Sequence, residues 1–258
     1  MPPFDPYFVA IAVIAVLIVG LSKAGLLGSL GMVGVPLLSL VMPARDAAGM
    51  MLPVLLAMDV IAVYAYRRDI DWHIIRIMLP GAAIGTLMGW ALWAFVSDAA
   101  VLLFVGVVTL LFILDALLPL RKKLEGLPPS RPWGVFWGGF AGFTSFISHT
   151  GGPPFQIYVL PQRLTPVIYS GTTAFFFAIV NTAKLVPYFF LGQLNVANIT
   201  YAAILAPLAV VGVMIGVWLV RRISVKRFYQ LTYWLVFLLA LKLIYDGAVG
   251  VFFTGAAA

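Results

Sequence analysis

Lys23, Asp59 and Lys184 each stand inside a long apolar run of this sequence. An ionised side chain in hydrocarbon costs about 2.5–3.5 kcal/mol on insertion scales, so each marks either a site or a charge with a nearby partner. A lysine ammonium attracts anions, and a carboxylate holds a proton or a metal cation. Lys23 lies in a glycine- and serine-rich break, Ser22-Lys-Ala-Gly-Leu-Leu-Gly-Ser-Leu-Gly31; it either faces a site or snorkels to an interface. Lys184 follows Asn181 by three residues, so both share one helix face; the alternative for Lys184 is reaching headgroups at the end of its helix. Asp59 either takes up a proton or cation or forms a static pair with Lys23 or Lys184. A second break, Ser148-His-Thr-Gly-Gly-Pro-Pro154, brings hydroxyls and His149. That imidazole either donates to an anion and carries a proton or is a hydrogen-bonded structural histidine.

Together these residues suit the binding of a small oxyanion that has lost its water. Interrupted helices return hydrogen bonds through freed backbone N–H groups and positive dipole ends, and glycine permits close approach. On this reading Gly25, Gly28 and Ser29 frame one side of a pocket, and Ser148, His149, Thr150, Gly151 and Gly152 the other, with Asn181 and Lys184 beside them. Coupling falls to Asp59 and His149, through a proton or sodium ion. No other cofactor is expected.

Other chemistries lack their parts. With no Cys, two distant His (His73 and His149) and no clustered carboxylates, neither a metal site nor an intramembrane enzyme has a starting set. The G-x-x-x-x-G-K-[ST] loop of an ATP-driven importer is missing too. Lys242 pairs with Asp246 at i, i+4, and Asp115 lies near a basic loop, so both positions read as structural. Gly81, Gly85, Gly89, Gly212 and Gly216 read as close helix packing. Phe175–Phe177 and the Trp and Tyr at span ends read as lipid contacts.

The elements that must position these residues follow from composition. Of 258 residues 63% are hydrophobic and only 10% charged, far from the roughly one-quarter charged of a soluble domain. The chain is an integral membrane protein, and its net charge of +7 belongs to loops rather than to nucleic-acid binding. The N-terminus, Met1-Pro-Pro-Phe-Asp5-Pro, has no basic region, so no removable signal peptide is expected. Six stretches, at about 47–66, 73–95, 99–119, 166–190, 199–220 and 227–250, are long enough to cross about 30 Å of hydrocarbon. Two longer stretches, 7–42 and 133–161, contain the breaks. They predict hairpins with arms of about 10–16 residues, or about 15–24 Å.

A charged, proline-rich segment at 121–132 separates residues 1–120 from 133–258, and the two halves look like copies. A shift of 118 superimposes Gly34 on Gly152, Pro36 on Pro154 and Arg45 on Arg163; a shift of 127 superimposes Pro80 on Pro207 and Gly85 on Gly212. If each broken stretch returns to its starting side, the loops at 67–76, 120–132, 162–165 and 221–227 collect twelve Lys and Arg, and the opposite loops hold only Arg45. That asymmetry puts the linker in the cytoplasm and both termini outside. The expected fold is therefore an all-α polytopic membrane protein of two inverted repeats, each a broken-helix hairpin plus three transmembrane helices.

The first break with its flanks, Gly20-Leu-Ser-Lys through Val35-Pro36, and the second, Gly142-Phe-Thr through Pro153-Pro154 followed by Gln156-Ile-Tyr-Val-Leu-Pro161, resemble the sulfite exporter TauE/SafE family, also called toluene sulfonate uptake permeases. The resemblance spans essentially the whole chain and adds Gln156 to the binding residues. It implies a multi-pass permease of a bacterial inner membrane that moves sulfite, organosulfonates or related small anions with an ion gradient and is not an enzyme. One departure stands out: many members carry an unbroken glycine run in the first motif, where this chain has Lys23. The implied partners are a small anion and membrane lipids, with a homodimer left open. An anion channel and a carrier of small carboxylates are the alternatives.

Overall fold

The computed structural model describes residues 5–23, 30–93, 95–117, 130–220 and 225–254. Among them all regular structure is helical. In chain order the helices are α1 (Pro6–Lys23), α2 (Gly34–Leu38), α3 (Ala44–Tyr66), α4 (Trp72–Leu92), α5 (Asp98–Leu117), α6 (Arg131–Ser148), α7 (Gly152–Val159), α8 (Pro166–Phe190), α9 (Val196–Val220) and α10 (Val225–Val249). Five of them, α1, α3, α4, α8 and α9, contain windows long and apolar enough to cross a membrane. The six uninterrupted stretches expected from sequence correspond to α3, α4, α5, α8, α9 and α10, and the two broken ones to α1 with α2 and α6 with α7. The order of a long helix, a break, a short helix and three long helices thus occurs twice.

The arms differ from the 10–16 residues expected. α1 and α6 each run 18 residues, and α2 and α7 only 5 and 8. Nothing in Pro6–Lys23 opposes a helix except Gly20, which is held by packing, so α1 extends for about 27 Å at 1.5 Å per residue. The helix starts carry legible caps. Thr165 accepts from the Ile168 N–H ahead of Pro166, and Asp71 Oδ1 accepts from the N–H groups of His73 and Ile74 at 2.9 and 3.1 Å. Asn195 Oδ1 accepts from the Asn198 N–H at 2.9 Å.

The chain forms two compact units, Met1–Ile75 with Thr165–Ile223 and Arg76–Leu164 with Ser224–Ala258, so each takes segments from both sides of the 121–132 linker. In the first unit α1 packs on α9, and α3 packs on both α8 and α9. α1 buries Ala12, Ala15, Val16, Val19 and Gly20, a helical stripe of small residues, against Ala209 and Val213 of α9 and Ala47, Met51 and Met58 of α3. Gly34 starts α2 where a Cβ would meet Val19 and Met51, so this short helix sits wedged against α1 and α3. The Asp71 N–H donates to Thr172 Oγ1 at 2.9 Å and fastens the α3–α4 turn to α8.

In the second unit α5 packs on α10 and α6 on α7. Gly134, Gly138 and Gly142 of α6 recur every four residues and lie against Ile77, Met78 and Ala82 of α4, while Gly81 and Gly85 of α4 lie against the backbone of Val135 and Gly139. The expectation that Gly81, Gly85, Gly89 and Gly212 serve packing is met at all four, with Gly89 against Phe146 and Gly212 against Gly20. Lys242 Nζ donates to Asp246 Oδ2 at 2.6 Å, as their spacing predicts.

The α1–α9 crossing is tighter on one side than the other. A Cβ on Gly20 would lie 3.0 Å from the Gly212 backbone, whereas one on Gly212 would find its nearest neighbour at 3.4 Å. Gly20→Ala should therefore destabilise the protein by about 1–3 kcal/mol, and Gly212→Ala should stay within about 0.5 kcal/mol, in thermal unfolding of the detergent-solubilised protein.

Candidate functional site

Three helices of the first unit converge on Asp59. It stands in the second half of α3, where its neighbours Leu55, Met58 and Ala62 face the core, and only 4% of its side chain is exposed. Its Oδ1 accepts from Lys23 Nζ, and its Oδ2 accepts from Asn181 Nδ2 at 2.7 Å. Lys23 closes α1, where an ammonium also meets the negative end of the helix dipole. Its side chain is 13% exposed, and the Phe177 ring lies 5.9 Å from its Nζ, at cation–π distance. Asn181 is buried and spans the gap between α8 and α3.

Lys184 is fully buried, one turn beyond Asn181 on α8. Lys23 and Asp59 both lie near enough to act on it electrostatically. The alternative in which it reaches headgroups is corrected: its flanking turns bury Val180, Asn181 and Tyr188, which turns this stripe of α8 inward. Phe177, Asn181, Lys184 and Tyr188 follow one another at intervals of 4, 3 and 4, so one face of α8 carries an aromatic ring, an amide, an ammonium and a phenol.

Phe177 and Tyr188 are not among the site residues expected from sequence, and that 4-3-4 spacing through Lys184 is the signal that finds them. Within the aromatic run 175–177, Phe176 belongs to the interior rather than to a lipid face. Phe176 is fully buried, Phe177 packs on Phe176 and lies near Lys23, and Phe175 meets the Trp72 ring edge-on at 5.5 Å. Lipid-facing aromatics occur instead at the end of α8, where Phe189 and Phe190 are exposed.

The second group of expected residues belongs to the other unit. α6 ends at Ser148, and His149 adopts a left-handed conformation with φ of 56°, its N–H donating to the Ser145 carbonyl at 3.1 Å. Thr150 donates to the Thr144 carbonyl through both its N–H and its Oγ1, at 3.3 Å each, and shares a hydrogen bond of 2.9 Å with Ser148 Oγ. These hydroxyls thereby satisfy carbonyls that the end of α6 would otherwise leave open. Gly151 precedes α7 without a side-chain cap, and Gly152 begins it ahead of the Pro153-Pro154 pair. Gln156 is buried on α7. Gly25, Gly28 and Ser29 lie outside the described residues. The structure thus brings Lys23, Asp59, Asn181 and Lys184 together in one unit, and the Ser148–Gln156 set forms a turn of the other.

Helices of membrane-crossing length that bury an ionic network in their interior define a multi-pass membrane protein with a charged site in its core. The chain belongs to the sulfite exporter TauE/SafE family, a transporter family whose model matches residues 12–243. No curated protein and no solved structure matches it.

The geometry makes Asp59 the hub of the network. Pairwise coupling between buried charges in contact runs to about 0.5–3 kcal/mol. Asp59→Asn should accordingly cost less stability in a Lys23→Gln background than in the parent, by about 1–3 kcal/mol in a double-mutant cycle of unfolding midpoints. Additive losses would mean that the pair is energetically silent.

Proposed function

We propose that this protein is a secondary permease for small sulfur-containing anions such as sulfite or organosulfonates, and that Lys23, Asn181 and Lys184 supply the donors that hold the anion. The observation that carries this reading is the fully buried Lys184 together with the part-buried Lys23–Asp59 pair inside membrane-spanning helices. Lys23 and Asp59 balance each other, so a charge on the buried Lys184 is costly until an anion stands beside it. An anion entering the site completes the balance, and Asn181 adds a directional hydrogen-bond donor.

The placement of Lys23 suits alternating access. It closes α1 next to the break, so a change in the angle of α1 carries its ammonium towards or away from Asp59 on α3. Movement of the broken helices against the longer spans exchanges the exposed face of the site while the anion stays bound. Asp59 is the coupling group of this scheme: a carboxylate released by its lysine takes up a proton or sodium ion, which ties anion movement to a cation gradient. His149 and the hydroxyls of Ser148 and Thr150, with Gly151, Gly152 and Gln156, form a second polar region at the other helix break. The first break, with Gly25, Gly28 and Ser29, contributes backbone donors. The protein works in a bacterial inner membrane with its termini outside the cytoplasm, in accord with its basic loops.

Lys23→Ala should abolish anion flux in proteoliposomes while leaving membrane insertion normal; unchanged flux removes Lys23 from the site. A thermal-shift screen of the purified protein should show stabilisation by sulfite, taurine, isethionate or sulfoacetate ahead of carboxylate analogues. A preference for carboxylates over every sulfur oxyanion would overturn the substrate class, and flux without saturation or gradient dependence would mark a channel.

A further inference from the structure

α4 and α6 lie side by side and run in the same direction. Ile77 lies against Gly134, Gly81 against Val135 and Gly85 against Gly139, so both helices begin at one end of the second unit. Glycines set this crossing, which lets the backbones meet and leaves the larger side chains standing out as walls. Between the walls runs an open groove of about 440 Å³ whose lining carries no polar side chain. Ile84, Met88 and Leu92 of α4 form one wall, and Phe136, Phe140 and Phe143 of α6 the other; Phe104 of α5 meets the Phe143 ring edge-on at 5.6 Å. On α4 the lining extends from Gly81 to Leu92, about 16 Å at 1.5 Å per residue, and one leaflet supplies about 15 Å of hydrocarbon. The groove is as long as a lipid tail is deep.

About one turn beyond the end of the groove, at the shared start of the two helices, stand Arg76 and Arg131. Arg76 heads the exposed stripe of α4 that continues through Pro80, Ile84 and Met88, and Arg131 shares a face of α6 with Val135 and Gly139. Both arginines are exposed, and among the described residues neither has a carboxylate partner. Asp71, the acid at the head of α4, is turned to the N–H groups of His73 and Ile74. Arg131 opens α6, where a cation meets the positive end of the helix dipole and is unfavourable until an anion joins it. Trp133 is exposed at the same level, and such rings settle at the headgroup boundary. We propose that this groove holds one chain of an anionic phospholipid, with its phosphate bound by Arg76 and Arg131.

Orientation in the membrane accounts for arginines at this end, but it does not call for a polar-free groove of one leaflet's depth beginning beside them. Guanidinium groups match phosphate oxygens with paired hydrogen bonds, and a fixed wall of rings gives a chain steady dispersion contacts. Because bulk lipid is as apolar as the groove, the chain gains little selectivity there, and discrimination between lipids falls to the arginines. The site lies wholly within the second unit and shares no residue with the Asp59 network, so it is independent of what the permease carries.

Native mass spectrometry of the detergent-solubilised full chain, titrated with equal amounts of dioleoylphosphatidylglycerol and dioleoylphosphatidylcholine, reads both parts of the site. The parent should retain one tightly held lipid and favour phosphatidylglycerol by about 30-fold, the contribution of two arginines near a membrane surface. Arg76→Gln combined with Arg131→Gln should bring that ratio close to one. Gly139→Leu should abolish the tight retention, because a Cβ there meets only the Gly81 carbonyl at 3.6 Å and the added side chain enters the groove. Ile84→Trp, at an exposed position on the opposite wall, supplies the same block should that variant not fold. Equal retention of the two lipids by the parent overturns the proposal, as does a preference that outlasts the loss of both arginines or tight binding that survives the groove substitutions. A dimer that forms without lipid and is lost in Gly139→Leu overturns it too, since a second copy then fills the groove. Competition by free glycerol 3-phosphate would likewise overturn it, because the arginines would then read a phosphate without its chain.

Discussion

A carboxylate surrounded by hydrocarbon persists as an ion only when the protein itself supplies what water would have given, and in this molecule that requirement falls on Asp59. Its two oxygens bind α1 through Lys23 and α8 through Asn181, while its own helix, α3, packs against α8 and α9. Three helices are thereby referred to one point. In a membrane, where lipid tails are as apolar as the side chains they contact, hydrophobic burial separates helix partners poorly, and such a polar junction carries much of the specificity. The small-residue stripe of α1 serves the same end. By letting α1 approach α9 with Gly20 against Gly212, it seats the last turn of α1 at a depth where Lys23 reaches the carboxylate.

The polar groups at the ends of the two interrupted helices, α1 and α6, turn in opposite directions. At the second, the side chains turn back on their own backbone: Thr150 and Ser148 occupy the carbonyl end of α6, and His149 provides the left-handed residue that ends it. At the first, the charge beside the break looks outward from its helix to α3 and α8.

Much of this architecture is legible in the order of residues. The six long uninterrupted helices, the break after α6, the Lys242–Asp246 pair and the packing role of Gly81, Gly85 and Gly89 all follow from local rules: length against bilayer thickness, glycine and proline as interruptions, and i, i+4 reach. The residues of the ionic network are also visible there, since a charge in an apolar span is conspicuous. Their pairing is not, because spacing along the chain cannot choose between Lys23 and Lys184 as the partner of Asp59 across 36 or more residues. Lys184 resembles a snorkelling lysine because it lies in the last third of α8, and Phe177 resembles a lipid contact because aromatic runs usually are. Both instead belong to the inward stripe of α8 that carries Asn181.

By itself, the sequence determined that this chain crosses a membrane many times, where its helices are interrupted, and which few side chains are too polar for their surroundings. Those are one-dimensional properties, set by the free energy of moving each segment from water into lipid. The folded arrangement alone decided which face of α8 looks inward, that Lys23 and Asn181 divide the two oxygens of Asp59, and that Lys184 is sealed beside them. These depend on where helices distant in sequence cross, which is governed by the close approach of small residues and by the cost of leaving any buried charge without a counterpart.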